Sequence, residues 1–228
     1  GLEEEYGTQI MTFPQYIWGD GAGTELILIN NCPSIKSGSI LMYGLNGTIP
    51  QDEDVTAVPF SIDPMGVSVE KWYGNIGDVT VTGAVAIAQE GNTACSVEGV
   101  EFFNALGSYT TVGSSVLRDS HQIFGLHNEN QDTGFALFNP NDHGIDIQVS
   151  FENMPYFSLD TVIHLEAKEH RAMFLKELFF GDVHRIKGIP GILDFLGMDD
   201  EPFGLVGLFL IDSASNSMVS LPSIPRAD

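Results

Sequence analysis

Short apolar runs recur along the chain, with glycine, proline and asparagine between them. They lie about 8–12 residues apart, which is the spacing of strands in sandwiches rather than of alternating strands and helices. The run from 79 to 88 alternates and is rich in valine and alanine, with Gly83 as a bulge or a close contact. The segment Asp63-Pro-Met-Gly66 predicts a tight turn. The pattern predicts an all-β fold.

One strand–turn–strand pattern occurs twice. Residues 24–31 read Thr-Glu-Leu-Ile-Leu-Ile-Asn-Asn, and residues 133–140 read Thr-Gly-Phe-Ala-Leu-Phe-Asn-Pro. A second strand-like run follows each copy, at 39–43 and at 145–151. Internal repetition of this kind predicts two similar units in one chain. We therefore expect two tandem β-sandwich domains, Ig-like or jelly-roll-like.

The repeat and the composition between its copies set the expected boundaries. Residues 1–10 are polar and acidic and form an N-terminal arm, and the first domain covers 11–106. A stretch poor in apolar periodicity, 107–117, is the expected linker. The second domain covers 118–228.

A helical insertion is expected in the second domain near 171–200. When the two copies are aligned, Thr24 matches Thr133 and Gly83 matches Gly204. The distance along the chain is larger for the second pair than for the first, which indicates about 15 or more inserted residues in the second copy. Residues 171–180 place apolar side chains at helical spacing, and Ile192-Leu-Asp-Phe-Leu196 predicts a second helical turn.

The second copy resembles tandem β-sandwich modules of secreted bacterial surface proteins. The segments that carry the resemblance are Leu137-Phe-Asn-Pro140, Phe174-Leu-Lys-Glu-Leu-Phe179 and Leu221-Pro222. The resemblance covers most of 118–225 and, more faintly, 11–105, where the Phe-Leu-x-Glu-Leu-Phe segment is missing. It implies a surface-exposed binding or structural role, with no catalytic residue to transfer.

Charge narrows the classes of partner. The 228 residues include 31 acidic and 9 basic side chains, for a net charge of −22 that both halves share. Such a surface repels nucleic acid and anionic lipid and suits high salt, divalent cations or an extracellular matrix. The plainer alternative is that the charge serves solubility. No apolar run is long enough to cross a membrane as a helix.

The only two cysteines are Cys32 and Cys95. One disulfide formed in an oxidising compartment explains them, and two buried free thiols are the alternative. The chain begins Gly-Leu-Glu-Glu-Glu, as a secreted protein does after signal-peptide removal, or as a trimmed chain does. We therefore expect a secreted, cell-surface protein.

Two groups of residues are candidates for ligand binding. Asn128, Asn130 and Asp132 have the alternating oxygen spacing of a calcium loop, although plain solvated loops explain them too. The aromatic residues of the first copy could stack on a sugar or fill its core; they are Tyr16, Trp18, Trp72 and Tyr73. No cofactor other than calcium is indicated.

Signs of catalysis are missing from the sequence. It has no Gly-x-Ser-x-Gly elbow, no His-Glu-x-x-His spacing and no phosphate-binding glycine loop. We therefore expect a protein that is not an enzyme. A secreted hydrolase ranks third among the hypotheses, after a structural protein and a carbohydrate-binding module.

The N-terminal arm carries the leading hypothesis. Tyr6, Thr8 and Ile10 alternate with smaller or polar residues, so the arm can form a strand with one buried face. That strand can join its own sheet, or it can join the edge of a neighbouring molecule. The second option predicts an extracellular structural or adhesive protein that assembles into a surface layer or filament.

Overall fold

The computed structural model describes residues 7–44, 57–105, 108–153, 157–212, 217–221, 223 and 224. The prediction of an all-β fold is confirmed, because sixteen strands account for most of these residues. The strands are β1 Thr8–Trp18, β2 Gly23–Ile29, β3 Lys36–Gly44, β4 Ala57–Ile62, β5 Val67–Tyr73, β6 Val81–Gln89, β7 Glu98–Ala105, β8 Ser108–Gly113, β9 Ser120–Gly125, β10 Asp132–Phe138, β11 Ile145–Asn153, β12 Phe157–Leu165, β13 His170–Phe174, β14 Gly191–Gly197, β15 Gly204–Asp212 and β16 Ser217–Leu221.

The strands form four antiparallel sheets of four strands each. In the first half of the chain, β1 to β8, the sheets have the orders β1-β6-β3-β4 and β5-β2-β7-β8. In the second half, β9 to β16, the orders are β12-β11-β14-β9 and β13-β10-β15-β16. Each strand of the first half therefore has a counterpart eight strands later with the same neighbours. The repetition extends from the short sequence motif to the whole pairing pattern.

Two asparagines show the repetition at atomic detail. The buried side-chain amides of Asn30 and Asn139 each donate to three backbone carbonyls and accept from the backbone N–H two residues later. The accepting carbonyls belong to Ser34, Ile62 and Asp63 in the first half and to His143, Leu165 and Glu166 in the second. The asparagine that ends each apolar run therefore ties together the same two loops in both copies.

Each half encloses its own apolar core. Inward side chains of β2 such as Leu26 and Leu28 meet Ile40 and Ile87 of the facing sheet in the first half. Phe135 and Phe195 meet in the same way in the second half, with ring centroids 5.0 Å apart. Gly83 of β6 lies where an added Cβ would come within 2.6 Å of the Tyr16 ring, which confirms the expected close contact.

The expected boundaries need two changes. Residues 8–10 belong to β1, which pairs with β6 of the same sheet from Thr8 opposite Gln89, so this part of the arm joins its own sheet. Ile10 packs against the first core, while Tyr6 lies outside the described residues. Strand β8 lies inside the expected linker 107–117 and pairs with β7, because its alternate residues Thr110 and Val112 are buried.

The helical insertion is present but smaller than predicted. Two short helices, α1 Leu175–Leu178 and α2 Val183–Ile186, lie between β13 and β14, where the first half has only residues 74–80. The predicted helix over 171–180 is wrong in its first part, because 170–174 pair with β10 as β13. The predicted helical turn at 192–196 is strand β14. The alignment of Gly83 with Gly204 predicted that the segment 203–210 corresponds to β6. That segment contains most of β15, whose counterpart in the first half is β7, so this alignment is wrong.

The two halves pack against each other through sheet faces. The outward residues of β3 and β6 meet Phe138 of β10, and the rings of Tyr43 and Phe138 lie 5.1 Å apart. Val112 of β8 packs with Ala136 and Val206 of the second half. The backbone N–H of Leu205 in β15 donates to the hydroxyl of Ser115, which follows β8, at 2.9 Å, and this bond adds to the contact. We call it the inter-half interface; it buries one outer face of each half.

Candidate functional site

The cysteines form a disulfide between two loops of the first half. Cys32 and Cys95 are bonded, and no free cysteine remains. The Gln89 side chain holds the second loop, since it donates to the carbonyls of Asn92 and Cys95 and accepts from the N–H of Val97. The prediction of a disulfide is confirmed, and such bonds are typical of proteins from oxidising compartments.

The four aromatic candidates do not form one site. Tyr16 is fully buried in the first core, and burial raises its pKa to about 12. Trp72 packs against the same core, whereas its neighbour Tyr73 is 50% exposed, because successive residues of a strand face opposite sides. Trp18 is half-buried at the end of β1. Of the four, only Tyr73 lies on an exposed sheet surface.

That surface is the outer face of the sheet β5-β2-β7-β8, which we call the open face. Paired residues form rows across it: Val69, Ile27 and Val100 in one row, and Lys71, Glu25 and Phe102 in the next. Val67, Val69, Tyr73, Phe102 and Tyr109 are each more than a third exposed. Near one end of the face, Tyr73 donates to the Glu25 carboxylate, and Lys71 lies 3.0 Å from the same oxygen. These bonds lower the pKa of Glu25, Tyr73 contributing most.

A shallow groove borders the open face where edge strand β8 meets edge strand β16. Its volume is about 390 Å³, and Phe102, Tyr109 and Val219 line it. Tyr109 is 76% exposed, so its ring is free on at least one side. Aromatic rings with polar atoms at their edge are suited to contacts with flat or amphipathic partners.

The counterparts of the open face in the second half are buried. By strand pairing, Ile27 corresponds to Ala136, Ile29 to Phe138, Val100 to Val206 and Phe102 to Leu208. All four counterparts belong to the inter-half interface, three of them fully or nearly fully buried and Leu208 packed against them. The same sheet face is thus apolar in both halves, but only the second half covers it.

The outer face of the other sheet shows the opposite trend. In the first half this face lies in the inter-half interface and carries Leu41, Tyr43 and Ala86. Strand pairing places Ser150, Glu152 and Asp194 at the corresponding positions of the second half. At these three positions the free face, which we call the polar face, is polar where the interface face is apolar. Phe124, Val162 and Ile192 also lie on the polar face and are each more than a third exposed.

A second candidate site lies beside the helical insertion. Asp132, the first residue of β10, is buried with its carboxylate 3.3 Å from His127 Nδ1 and 3.6 Å from Lys176 Nζ. Burial raises the pKa of Asp132, and the two neighbouring bases oppose that shift. The adjoining pocket holds about 360 Å³. No hydroxyl or thiol side chain is among the described residues that line it, and its basic residues are His127, Lys176 and Lys187.

The three predicted calcium ligands lie in the same loop. The Asn128 side-chain oxygen accepts from the backbone N–H groups of Asn130 and Gln131, each at 2.9 Å. Asp132 faces an ammonium group and an imidazole. These contacts use the oxygen of one predicted ligand and place positive charge beside another. Among the described residues, no cluster of three acidic, histidine or cysteine side chains is placed to hold a metal ion.

Comparison with protein-family models, with curated proteins and with solved structures finds no match to this chain. The resemblance to modules of secreted bacterial surface proteins therefore stays a prediction. No helix among the described residues is long and apolar enough to span a membrane.

Apart from Tyr73, the residues of the open face were not singled out from the sequence. The alternation in 67–73 contains the signal, but both of its faces carry apolar residues, so periodicity alone does not reveal the exposed one. Phe102 and Tyr109 come into one groove only because β8 lies against β16. Lys176 was missed because it approaches Asp132 from an insertion 44 residues later in the numbering.

Proposed function

We propose that this chain is an extracellular structural or adhesive protein, built of two tandem β-sandwich domains, that associates with other copies of itself. The single observation that carries the proposal is the open face. Large exposed apolar faces on soluble proteins mark interaction sites. Here the chain provides its own comparison, since the corresponding face of the second half is buried, and the free outer face of that half carries Ser150, Glu152 and Asp194 where the inter-half interface has apolar residues.

Location and charge support the same function. The Cys32–Cys95 disulfide fits an oxidising compartment, so we propose that the protein is secreted. A net charge of −22 keeps most of the surface apart from other copies and from nucleic acid or anionic membranes. Association is then restricted to the least charged part of the surface. We further propose that the protein has no catalytic activity of its own.

The test is the state of association of the native protein. Sedimentation velocity over a hundredfold concentration range should show a species larger than the monomer, and the fraction of protein in that species should increase with concentration. The same series with millimolar calcium, matched in ionic strength by sodium, shows whether a divalent cation adds to the effect by more than screening. A protein that sediments as a monomer throughout both series would contradict the proposal.

Carbohydrate binding is the second candidate, and the exposed rings of Tyr73, Phe102 and Tyr109 favour it. Sugar rings stack on exposed aromatic side chains. A glycan array should then show binding that Tyr109→Ala removes. Phe180→Ala provides the control, because Phe180 is 84% exposed but lies outside this face. The predicted residues Trp18 and Trp72 are less suitable, since Trp72 packs into the core.

A further inference from the structure

We propose that the open face of one molecule packs against the open face of a second copy, related by a two-fold axis. This inference rests on the proposed self-association and names its surface and its symmetry. It replaces assembly through strand edges, which the sequence suggested. The occupant is a second copy of this chain, and the contact closes into a dimer instead of growing into a filament.

The centre of the open face has the composition of a sheet-packing surface. Val69, Ile27 and Val100 lie side by side on three neighbouring strands, with Val67 and Ile29 in the adjacent row. Two sheets pack face to face about 10 Å apart when such side chains interdigitate. The corresponding face of the second half packs in this way against a sheet of the first half. A face in this position of the repeat is therefore able to pack against another sheet.

Charge favours a second copy as the occupant. Among its outward residues the open face carries only Glu25, Glu98 and Lys71, and Lys71 is paired with Glu25. The rest of the molecule holds almost all of the net charge of −22. Two copies therefore meet with the least repulsion when these faces meet.

The arrangement of the two halves favours a two-fold axis. A head-to-tail contact would repeat the inter-half interface, with the open face against the outer face of β12-β11-β14-β9 of the next copy. That outer face presents Ser150, Glu152 and Asp194 where the interface uses Leu41, Tyr43 and Ala86. Asp194 is already buried within the chain, but burying the half-exposed Glu152 carboxylate against valine and isoleucine is costly. A two-fold axis instead places the open face of one copy against the open face of the other, so that the Glu152 carboxylate does not have to be buried.

Several strand edges are less suited to the contact. The backbone of Gln122 in β9 bonds to Ile224 in both directions, at 2.8 and 3.0 Å. Thr12 of β1 bonds to Ser115 in the same way. Pro59 interrupts the donors of edge strand β4. The open face, in contrast, needs no rearrangement to accept a partner.

The size of the open face sets the expected affinity. Four strands about 4.8 Å apart and roughly 20 Å long give a projected area of roughly 400 Å². A standard interface buries about 800 Å² on each partner. The open face is about half that size, so the dimer belongs among weak, transient interfaces, and we expect a dissociation constant on the order of tens of micromolar.

The first test is cross-linking at the centre of the face. The wild-type chain has no free cysteine, so Ile27→Cys introduces the only thiol. A two-fold axis near the centre brings the two thiols together, and mild oxidation should yield a dimer linked through residue 27, confirmed by peptide mapping. Gln148→Cys, on the polar face of the second half, should remain monomeric. Equal cross-linking of both variants would overturn the proposal.

The second test uses matched charge variants. Val69→Glu and Val162→Glu each add a carboxylate at an exposed valine in an edge strand, the first on the open face and the second on the polar face. We expect Val69→Glu to weaken dimerisation at least tenfold and Val162→Glu to leave it unchanged, with both variants melting as the wild type does. Unchanged dimers of Val69→Glu would overturn this inference while leaving the proposed function intact. A wild-type protein without self-association would instead refute the proposed function itself.

Discussion

One asparagine in each half, Asn30 in the first and Asn139 in the second, joins two loops through its side-chain hydrogen bonds. Asn139 is fully buried, and its side chain bonds to the carbonyls of His143, Leu165 and Glu166. Asn139→Ala would leave these carbonyls without that donor, so we expect the free energy of unfolding to fall by roughly 2–4 kcal/mol. Urea denaturation measures the change. Asn31→Ala is the control, because Asn31 is exposed and bonds only to Glu98, and it should cost less than about 0.5 kcal/mol.

Glu101 is a fully buried carboxyl group in the first core. The neighbouring Thr24 hydroxyl already donates to the Ile17 carbonyl, and neither Glu101 oxygen has a well-placed hydrogen-bond partner among the described residues. Burial raises the pKa of Glu101 well above the usual 4.5. The folded protein then binds a proton that the unfolded chain releases above pH 4.5, so stability falls as the pH rises from there.

Glu101→Gln removes this ionisation and should stabilise the protein relative to the wild type at pH 8 but not at pH 4.5. We expect a difference of roughly 1–3 kcal/mol at the higher pH, the usual cost of an unsatisfied buried group. Urea denaturation of both proteins between pH 4.5 and 8 tests it. Parallel stability curves would show that folding does not raise the pKa of Glu101, and would contradict this prediction.

At this scale, the sequence predicted residues whose role is local. With only Cys32 and Cys95 present, the sequence offered one disulfide or two free thiols, and the asparagines Asn30 and Asn139 end the two copies of the repeated apolar run. The burial of Tyr16 and Glu101 could not be predicted, because it depends on which sheet covers each strand. Tyr16 and Tyr73 have similar sequence surroundings but opposite exposure.

At the scale of elements, short apolar runs were the main source of error. Residues 192–196 have the composition of a helical turn, but Leu193 and Phe195 face the core while Asp194 between them lies on the opposite side of the sheet, which is the period of a strand. Residues 170–174 form a strand because β10 offers an unpaired edge, a long-range contact that periodicity does not contain. The approximate place of the insertion was predicted correctly, but the pairing of Gly83 with Gly204 behind that prediction was wrong, because the two glycines lie in strands that do not correspond.

The pairing of β1 bears on the hypothesis, made from the sequence, that the N-terminal arm mediates assembly. Thr8 and Gln9 pair with Gln89 and Ala88 of the same molecule, on the sheet that does not carry the open face. Deleting residues 1–10 should therefore lower the free energy of unfolding by roughly 1–3 kcal/mol without changing self-association. Thermal melts and sedimentation velocity of the truncated protein measure the two effects. Loss of the oligomer in a folded truncated protein would restore the arm as the assembly element.

At the scale of the whole molecule, the four sheets form a series of layers. The sheet with the open face covers the first core, the next two sheets meet in the inter-half interface, and the last sheet presents the polar face. The two ends of the series therefore differ in character. This difference, which the sequence repeat hides because it aligns the halves as equals, is the basis of the proposed function.

The inter-half interface contains a buried titratable group that links both halves. His170 Nε2 lies 3.0 Å from Gln15 Oε1, one residue from each half, and burial lowers the pKa of His170 to about 4. The usual value is 6.5, so between pH 6.5 and 4 the unfolded chain binds a proton that the folded chain does not. Stability from this histidine is complete above pH 6.5 and is lost as the pH falls toward 4, by about 3 kcal/mol in total.

His170→Gln keeps a hydrogen bond to Gln15 within reach and removes the titration. The stability of the variant should therefore fall less between pH 7 and pH 4 than that of the wild type, as urea denaturation at each pH would show. His164→Gln serves as the control, because this exposed histidine pairs with Asp146, which raises its pKa, so its removal should leave the acid-induced loss in place. If both variants lose as much stability as the wild type, His170 is not the group that makes the contact between the halves sensitive to acid.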